Sequence, residues 1–339
     1  MNLTTAFSFR LIISAAFMAV LLSSCKMKKP LPSEHILSAA QVEADLKLFK
    51  NIIEAAHPSF DLYSNPEKFG LLADSLFPGA ESITVREFHN RLSFMLNRLG
   101  CAHTGIYMST AAYDSLQSKD YFFPYPVSWL DEKLLVNVKG YLIPEGAEIK
   151  TINGRPVAEI MAALATFECV EGKDRPIQQE LSAANFGLEY FYQYGDEKAF
   201  SVVYVDTTGV RKQDLVSPVN LTELQRMEKE ELYYYDRTEI PYDLSFYEDA
   251  GLAVMKVSSF AFNDGQQQDG FDHFCMNSFE LLRAKPWINT LVIDLRQNKG
   301  GTLDEACLLF SYLAKEPFKE VKESYTRFRQ IPFSEYLSE

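Results

Sequence analysis

The chain is 339 residues long, enough for two or three domains at about 100–200 residues each. Hydrophobic residues make up 47% of it, which places it among folded globular proteins and outside the disordered range. Its formal net charge is −13 and its basic residues form no long stripe, which argues against nucleic acid as a partner, because phosphate binding needs clustered Lys and Arg.

At the N-terminus Arg10 precedes an apolar run, Leu11–Leu22. The run is shorter than the about 20 residues a bilayer-spanning helix needs, and it suits the core of a signal peptide. It ends in Leu22-Ser-Ser-Cys25, which resembles the lipobox of bacterial lipoproteins. That resemblance implies removal of residues 1–24, lipidation of Cys25 and a domain tethered to the membrane in the cell envelope, outside the cytoplasm. Residues 25–35, with Pro30 and Pro32, read as a linker. The remaining cysteines, Cys101, Cys169, Cys275 and Cys307, are scattered, with no Cys-x-x-Cys pair and no histidine at metal-ligand spacing, so no metal site and no cofactor is expected. Export allows one disulfide among them, and the apolar context of each favours isolated thiols.

Residues 36–115 read as an N-terminal helical cap. Ser38 and Gln41 have capping-box spacing, and Val42, Leu46, Phe49, Ile53 and Ala56 make one apolar stripe that Pro58 ends. A second helix opens at Thr84 with Glu87 as reciprocal cap, carries Phe88, Leu92, Met95 and Leu99 on one face, and closes at Gly100. Residues 116–235 turn to strands, beginning with Leu134–Val138. A strand over Ala147–Ile152 runs into an Asn153-Gly154 turn, and Pro156 starts a helix. The run from Gly146 to Val157 resembles the carboxylate-side half of a PDZ domain. A strand over Phe200–Val205 and a helix near Leu221–Tyr235 complete this region.

The segment 236–339 is the clearest. Tyr242–Tyr247 and Leu252–Val257 flank Glu248-Asp-Ala-Gly251 and read as a hairpin. A helix over Phe271–Ala284 leads to a strand, Thr290–Leu295, apolar on both faces as in a sheet covered on both sides. The loop Arg296-Gln-Asn-Lys-Gly-Gly301 then feeds a helix whose Thr302 and Glu305 again have capping-box spacing. Backbone N–H groups at a helix start have no intrahelical partner, and glycines let a ligand approach them. Such a loop can hold a phosphate or an acyl-transfer oxyanion; the phosphate reading lacks a Walker lysine or a Gly-x-Gly-x-x-Gly pattern.

The segment Leu291-Val-Ile-Asp-Leu-Arg-Gln-Asn-Lys-Gly-Gly301 resembles the central strand and loop of the tail-specific, or C-terminal processing, serine peptidases and their tricorn-core relatives. The resemblance implies an α/β catalytic core of crotonase-like fold within an α+β chain, incomplete at its C-terminus. It also implies a PDZ-like segment for polypeptide ends and an oxyanion-hole N–H from Gly300 or Gly301. Asp294, Arg296 and Asn298 match the motif and are expected to hold the turn in shape. In Leu99-Gly-Cys-Ala-His-Thr-Gly105, His103 stands where the tricorn-like branch has its general base within Leu-x-Asp-Gly-His-Thr, but Cys101 and Ala102 replace the Asp-Gly. His57 reads as a helix stop, and His35, His89 and His273 as solvated or core residues. No nucleophile is identified: Ser258 and Ser259 end a strand, and Ser311, Ser324, Ser334 and Ser338 lack the small-residue turn after an apolar strand that the family's serine occupies. Two readings follow. One is a serine peptidase acting on polypeptides in the envelope, truncated or naturally short here; the other is a non-catalytic peptide-binding lipoprotein.

Overall fold

The computed structural model describes residues 31–336, apart from 59, 80, 173–174, 231–240, 263–264, 297, 299, 325 and 327. The expected signal segment and Cys25 lie outside the described residues. The chain is a mixed α+β protein that divides into two compact units, one running to Glu230 and including the tail from Ile331, the other Glu231–Gln330.

The first unit opens with a short strand β1 (Ile36–Leu37) and helix α1 (Ala39–Ala56). Ser38 Oγ accepts from the Gln41 N–H while the Gln41 side chain takes the Ser38 N–H, so the reciprocal cap read in the sequence is formed. Short α2 (Phe60–Tyr63) and α3 (Pro66–Leu76) follow, and α3 is capped by Asn65, which accepts from the Lys68 N–H. Strand β2 (Ile83–Thr84) pairs antiparallel with β1 and leads into α4 (Val85–Asn97). Here too the capping box, Thr84 with Glu87, is closed in both directions. Phe60, Phe69, Leu92, Met95, Leu96 and Leu99 are buried together, with Leu46, Phe49 and Ile53 of α1 laid against them. Each such fully buried side chain contributes about 1.5–3 kcal/mol.

After α5 (Thr110–Asp114) come β3 (Val127–Leu130), β4 (Lys133–Val136), β5 (Glu148–Ile152) and β6 (Arg155–Pro156). Asn153 and Gly154, with φ of 49° and 76°, make the two-residue turn that joins β5 to β6. Pro156 is the N-cap of α6 (Val157–Leu164) rather than its first helical residue. Helices α7 (Arg175–Ala184) and α8 (Phe186–Tyr194) precede β7 (Phe200–Val205) and β8 (Arg211–Val216), and α9 (Leu221–Glu228) ends the unit's main run. The sheet has the order β3-β4-β5-β7-β8, antiparallel throughout, with β6 paired to β5. Its inner face buries Val136, Ile149, Ile152, Val202 and Tyr204 against Ile160, Leu164, Phe186 and Tyr190. The Tyr192 carbonyl accepts from Arg86 Nη1 at 2.7 Å and Asn90 Nδ2 at 2.5 Å, which ties the end of α8 to α4.

The second unit is a three-stranded sheet of order β11-β10-β9. Strands β9 (Tyr242–Tyr247) and β10 (Leu252–Val257) form the expected antiparallel hairpin, turned at Gly251 with φ of 61°. Helix α10 (Gly265–Ala284) then carries the chain to β11 (Thr290–Asp294), which runs parallel to β10. Met255, Val257, Phe271, Cys275 and Leu309 are the buried core. The expectation of a strand covered on both faces fails for β11. It is the sheet edge, and Val292 and Leu295 are each 44% exposed. Helix α11 (Leu303–Ser311) follows the glycine loop.

Candidate active site

The glycine loop lies wholly within the second unit. Its entry is pinned by Asp294, whose carboxylate accepts from Arg296 Nε at 2.9 Å, Arg296 Nη2 at 2.7 Å and the Arg296 N–H at 3.1 Å. These bonds hold the Asp294 carboxyl down at a pKa of about 2. Asn298 then works in two directions: its Nδ2 donates to the Val257 carbonyl at 3.1 Å, and its Oδ1 accepts the Gly300 N–H at 2.7 Å. Asp294, Arg296 and Asn298 thus each carry side-chain hydrogen bonds at the turn.

The two glycines do different things. Gly300 has φ of 96° and open space where a Cβ would sit, and its N–H is spent on Asn298. Gly301 has φ of 147°, and a Cβ there would lie 1.9 Å from the Phe260 carbonyl carbon. That close approach is a parallel bridge: the Phe260 N–H donates to the Gly300 carbonyl and the Thr302 N–H to the Phe260 carbonyl, each at 2.9 Å. Among the described residues no acceptor engages the Gly301 N–H, which lies one residue before Thr302, the N-cap of α11. The capping box read at Thr302 and Glu305 does not form. Thr302 is the N-cap, but its Oγ1 points to the Phe260 carbonyl at 3.4 Å.

His103 belongs to the first unit. Helix α4 ends at Arg98, and Gly100, with φ of 59°, turns the chain into the Cys101–His103 turn. The Gly172 N–H donates to the Gly100 carbonyl at 2.9 Å, and the Ala102 N–H to Glu171 Oε2 at 3.4 Å. His103 is exposed, and one donor atom each of His103, Cys101 and Glu171 lie within 4.8 Å of one another. His57 does more than end a helix. It is buried at the C-cap of α1, with Nε2 2.7 Å from Thr104 Oγ1, and Thr104 in turn donates to Cys101 Sγ at 3.4 Å.

The other histidines are placed as expected. His89 is buried, with Nε2 3.2 Å from the Ile106 carbonyl, and burial lowers its pKa. His35 and His273 are exposed. Cys101, Cys169, Cys275 and Cys307 are free thiols, and burial pushes Cys275 up to about 12. Ser258 donates to the Pro241 carbonyl and Ser311 to the Leu308 carbonyl, as structural hydroxyls do. The sequence reading missed Glu171, which lies about seventy positions beyond His103 and carries no local signal.

The fold is similar to that of CPAF. The mature form of that protein complexed with lactacystin superposes with a TM-score of 0.56 at 11% identity, over 80% of this chain and 59% of that one. A crystal structure of a CPAF point mutant gives 0.54 at 12% identity, over 78% and 57%. The chain thus spans less than three-fifths of the CPAF chains it matches. No protein-family model matches the sequence, and no curated protein matches it in sequence.

Proposed function

We propose that this chain is a serine-type peptidase of the tail-specific family, with a crotonase-like core and a PDZ-like segment, acting on polypeptides in the cell envelope. The observation that carries the reading is the Gly301 N–H, which no described acceptor engages, placed just before α11 while the Gly300 N–H is tied to Asn298. An N–H fixed at a helix start stabilises negative charge without reorganising when the charge develops, which is what the tetrahedral intermediate of peptide hydrolysis requires. The likeness in fold to CPAF, a chlamydial serine protease of the same family, supports it.

In this reading a polypeptide adds to the first unit's sheet at β3, an edge strand with α7 packed beside it. His103 takes the proton of the nucleophilic serine as that oxygen attacks the peptide carbonyl, and later returns it to the leaving amine. The carbonyl oxygen, now an oxyanion, is received by the Gly301 N–H. The nucleophile is not assigned to any described serine. Cys25 carries the lipid that tethers the domain.

The test uses the complete gene product with a biotinylated fluorophosphonate and an unfolded protein as substrate. Labelling and cleavage are expected, and His103→Ala should lower both rates by about 10²–10⁴-fold, the usual worth of a general base. A complete product that neither labels nor cleaves would leave the non-catalytic peptide-binding lipoprotein in its place.

A further inference from the structure

The departure from the family pattern at Cys101 places a thiol beside the histidine. Cys101 Sγ, a His103 ring nitrogen and a Glu171 carboxylate oxygen lie within 4.8 Å of one another, brought together from two loops. The two loops are joined through the backbone by the Gly172 N–H to the Gly100 carbonyl, and the Glu171 carboxylate itself reaches across to accept the Ala102 N–H. Zinc bonds of about 2.0–2.3 Å in a tetrahedron put neighbouring donors about 3.3–3.8 Å apart, so closing the triangle needs shifts of about 1 Å. The exposed side chains of His103 and Glu171 can make that shift by rotation.

We infer that Cys101, His103 and Glu171 form a binding site for a divalent metal ion of the zinc class. One thiolate, one imidazole and one carboxylate are the donor types that select zinc over calcium or magnesium, and their two negative charges balance the ion. The hydroxyl of Thr104, itself against His57, donates to the sulfur and orients it, as outer partners of metal ligands do. The binding claim stands apart from the peptidase reading. Its consequence rests on that reading: a metal-bound imidazole has no lone pair with which to accept a proton, so the ion would hold the enzyme inactive.

The test is titration of the complete chain with cobalt(II) under a reducing phosphine, followed by zinc competition against a chromogenic chelator. One equivalent should bind with a near-ultraviolet thiolate-to-cobalt charge-transfer band. Cys101→Ser should abolish the band, and Glu171→Gln and His103→Ala should each weaken zinc binding by at least about tenfold. Thr104→Val should weaken it by about 10–100-fold, the usual effect of removing an outer partner. Glu171→Gln keeps a side-chain oxygen that can accept the Ala102 N–H, so it removes the charge while leaving that contact between the loops. Cobalt binding with no charge-transfer band, or zinc held equally tightly by the Cys101→Ser and Glu171→Gln chains, would overturn the assignment. None of these readouts requires peptidase activity, so a chain that fails to cleave protein but gives the band refutes only the former reading.

Discussion

Replacing Gly301 by alanine puts a methyl carbon 1.9 Å from the Phe260 carbonyl carbon and 2.2 Å from the Ala261 nitrogen. Both are backbone atoms, so no side-chain rotation can relieve the overlap, and the loop must leave the Phe260 strand. Parting them breaks two backbone hydrogen bonds, at about 0.5–1.5 kcal/mol each. An L side chain at a φ of 147° adds about 1–3 kcal/mol of backbone strain. The sum is a destabilisation of about 2–6 kcal/mol. Gly300 provides the control. Its φ of 96° is also unfavourable, but a Cβ there meets no atom within 4 Å, so Gly300→Ala carries the strain alone, about 1–3 kcal/mol. The chain has two tryptophans, Trp129 in the first unit and Trp287 in the second. In a Trp129→Phe background, urea unfolding followed by fluorescence therefore reports the second unit. Unfolding of Gly301→Ala at the same urea concentration as Gly300→Ala would refute the close approach of Gly301 to Phe260.

Glu189 of α8 is buried, and burial, then its hydrogen bond with Glu168, raises its pKa well above the ordinary 4.5. As pH rises past 4.5 the unfolded chain releases this proton while the folded one keeps it, so stability is lost up to the folded pKa. Glu189→Gln has no such proton, and its melting temperature relative to the native chain should climb as the pH rises above 4.5; parallel curves would contradict the buried acid. Asn298→Ala should lower the second unit's stability by about 1–3 kcal/mol in the same urea assay, since it strands the Val257 carbonyl and the Gly300 N–H; an unchanged midpoint would mean water replaces it without loss. Cys25→Ser should move the chain from the membrane to the soluble fraction on cell fractionation, and its retention there would refute the lipid anchor.

What the sequence made legible was local. The capping boxes at Ser38 and Thr84 each close within four residues, and the Asn153-Gly154 turn needs only its own two φ angles, so each formed as read. The hairpin β9–β10 kept its bounds because β9 alternates apolar and polar residues, β10 is a short apolar run, and Gly251 turns between them. Strand β8 was missed because Arg211-Lys-Gln-Asp is the polar stretch of an edge strand, without an alternating apolar face. Helix α3 was missed for want of a long stripe, though Asn65 caps it and Pro66 begins it. The errors at β11 and Thr302 share a cause. Which strands lie beside β11, and which acceptor captures the Thr302 hydroxyl, are decided by chain tens of residues away. The site divides the same way: the glycine loop and His103 announce themselves in contiguous motifs, whereas Glu171 reaches its partners only through the fold.

That dependence of α11 on Phe260 bears on the order in which the molecule assembles. Helices α1 and α4 carry complete starts within their own sequence and can nucleate while the rest of the chain is still unfolded. Helix α11 cannot: its first amide and its cap hydroxyl find their acceptor 42 positions earlier, across the β10–β11 pairing. Its first turn therefore becomes stable only after that parallel pair has closed, and a peptide spanning β11 to α11 alone would stay largely unstructured. The amide at the head of this helix is thus among the last parts of the second unit to be set in place, and among the first to be lost when the strands separate.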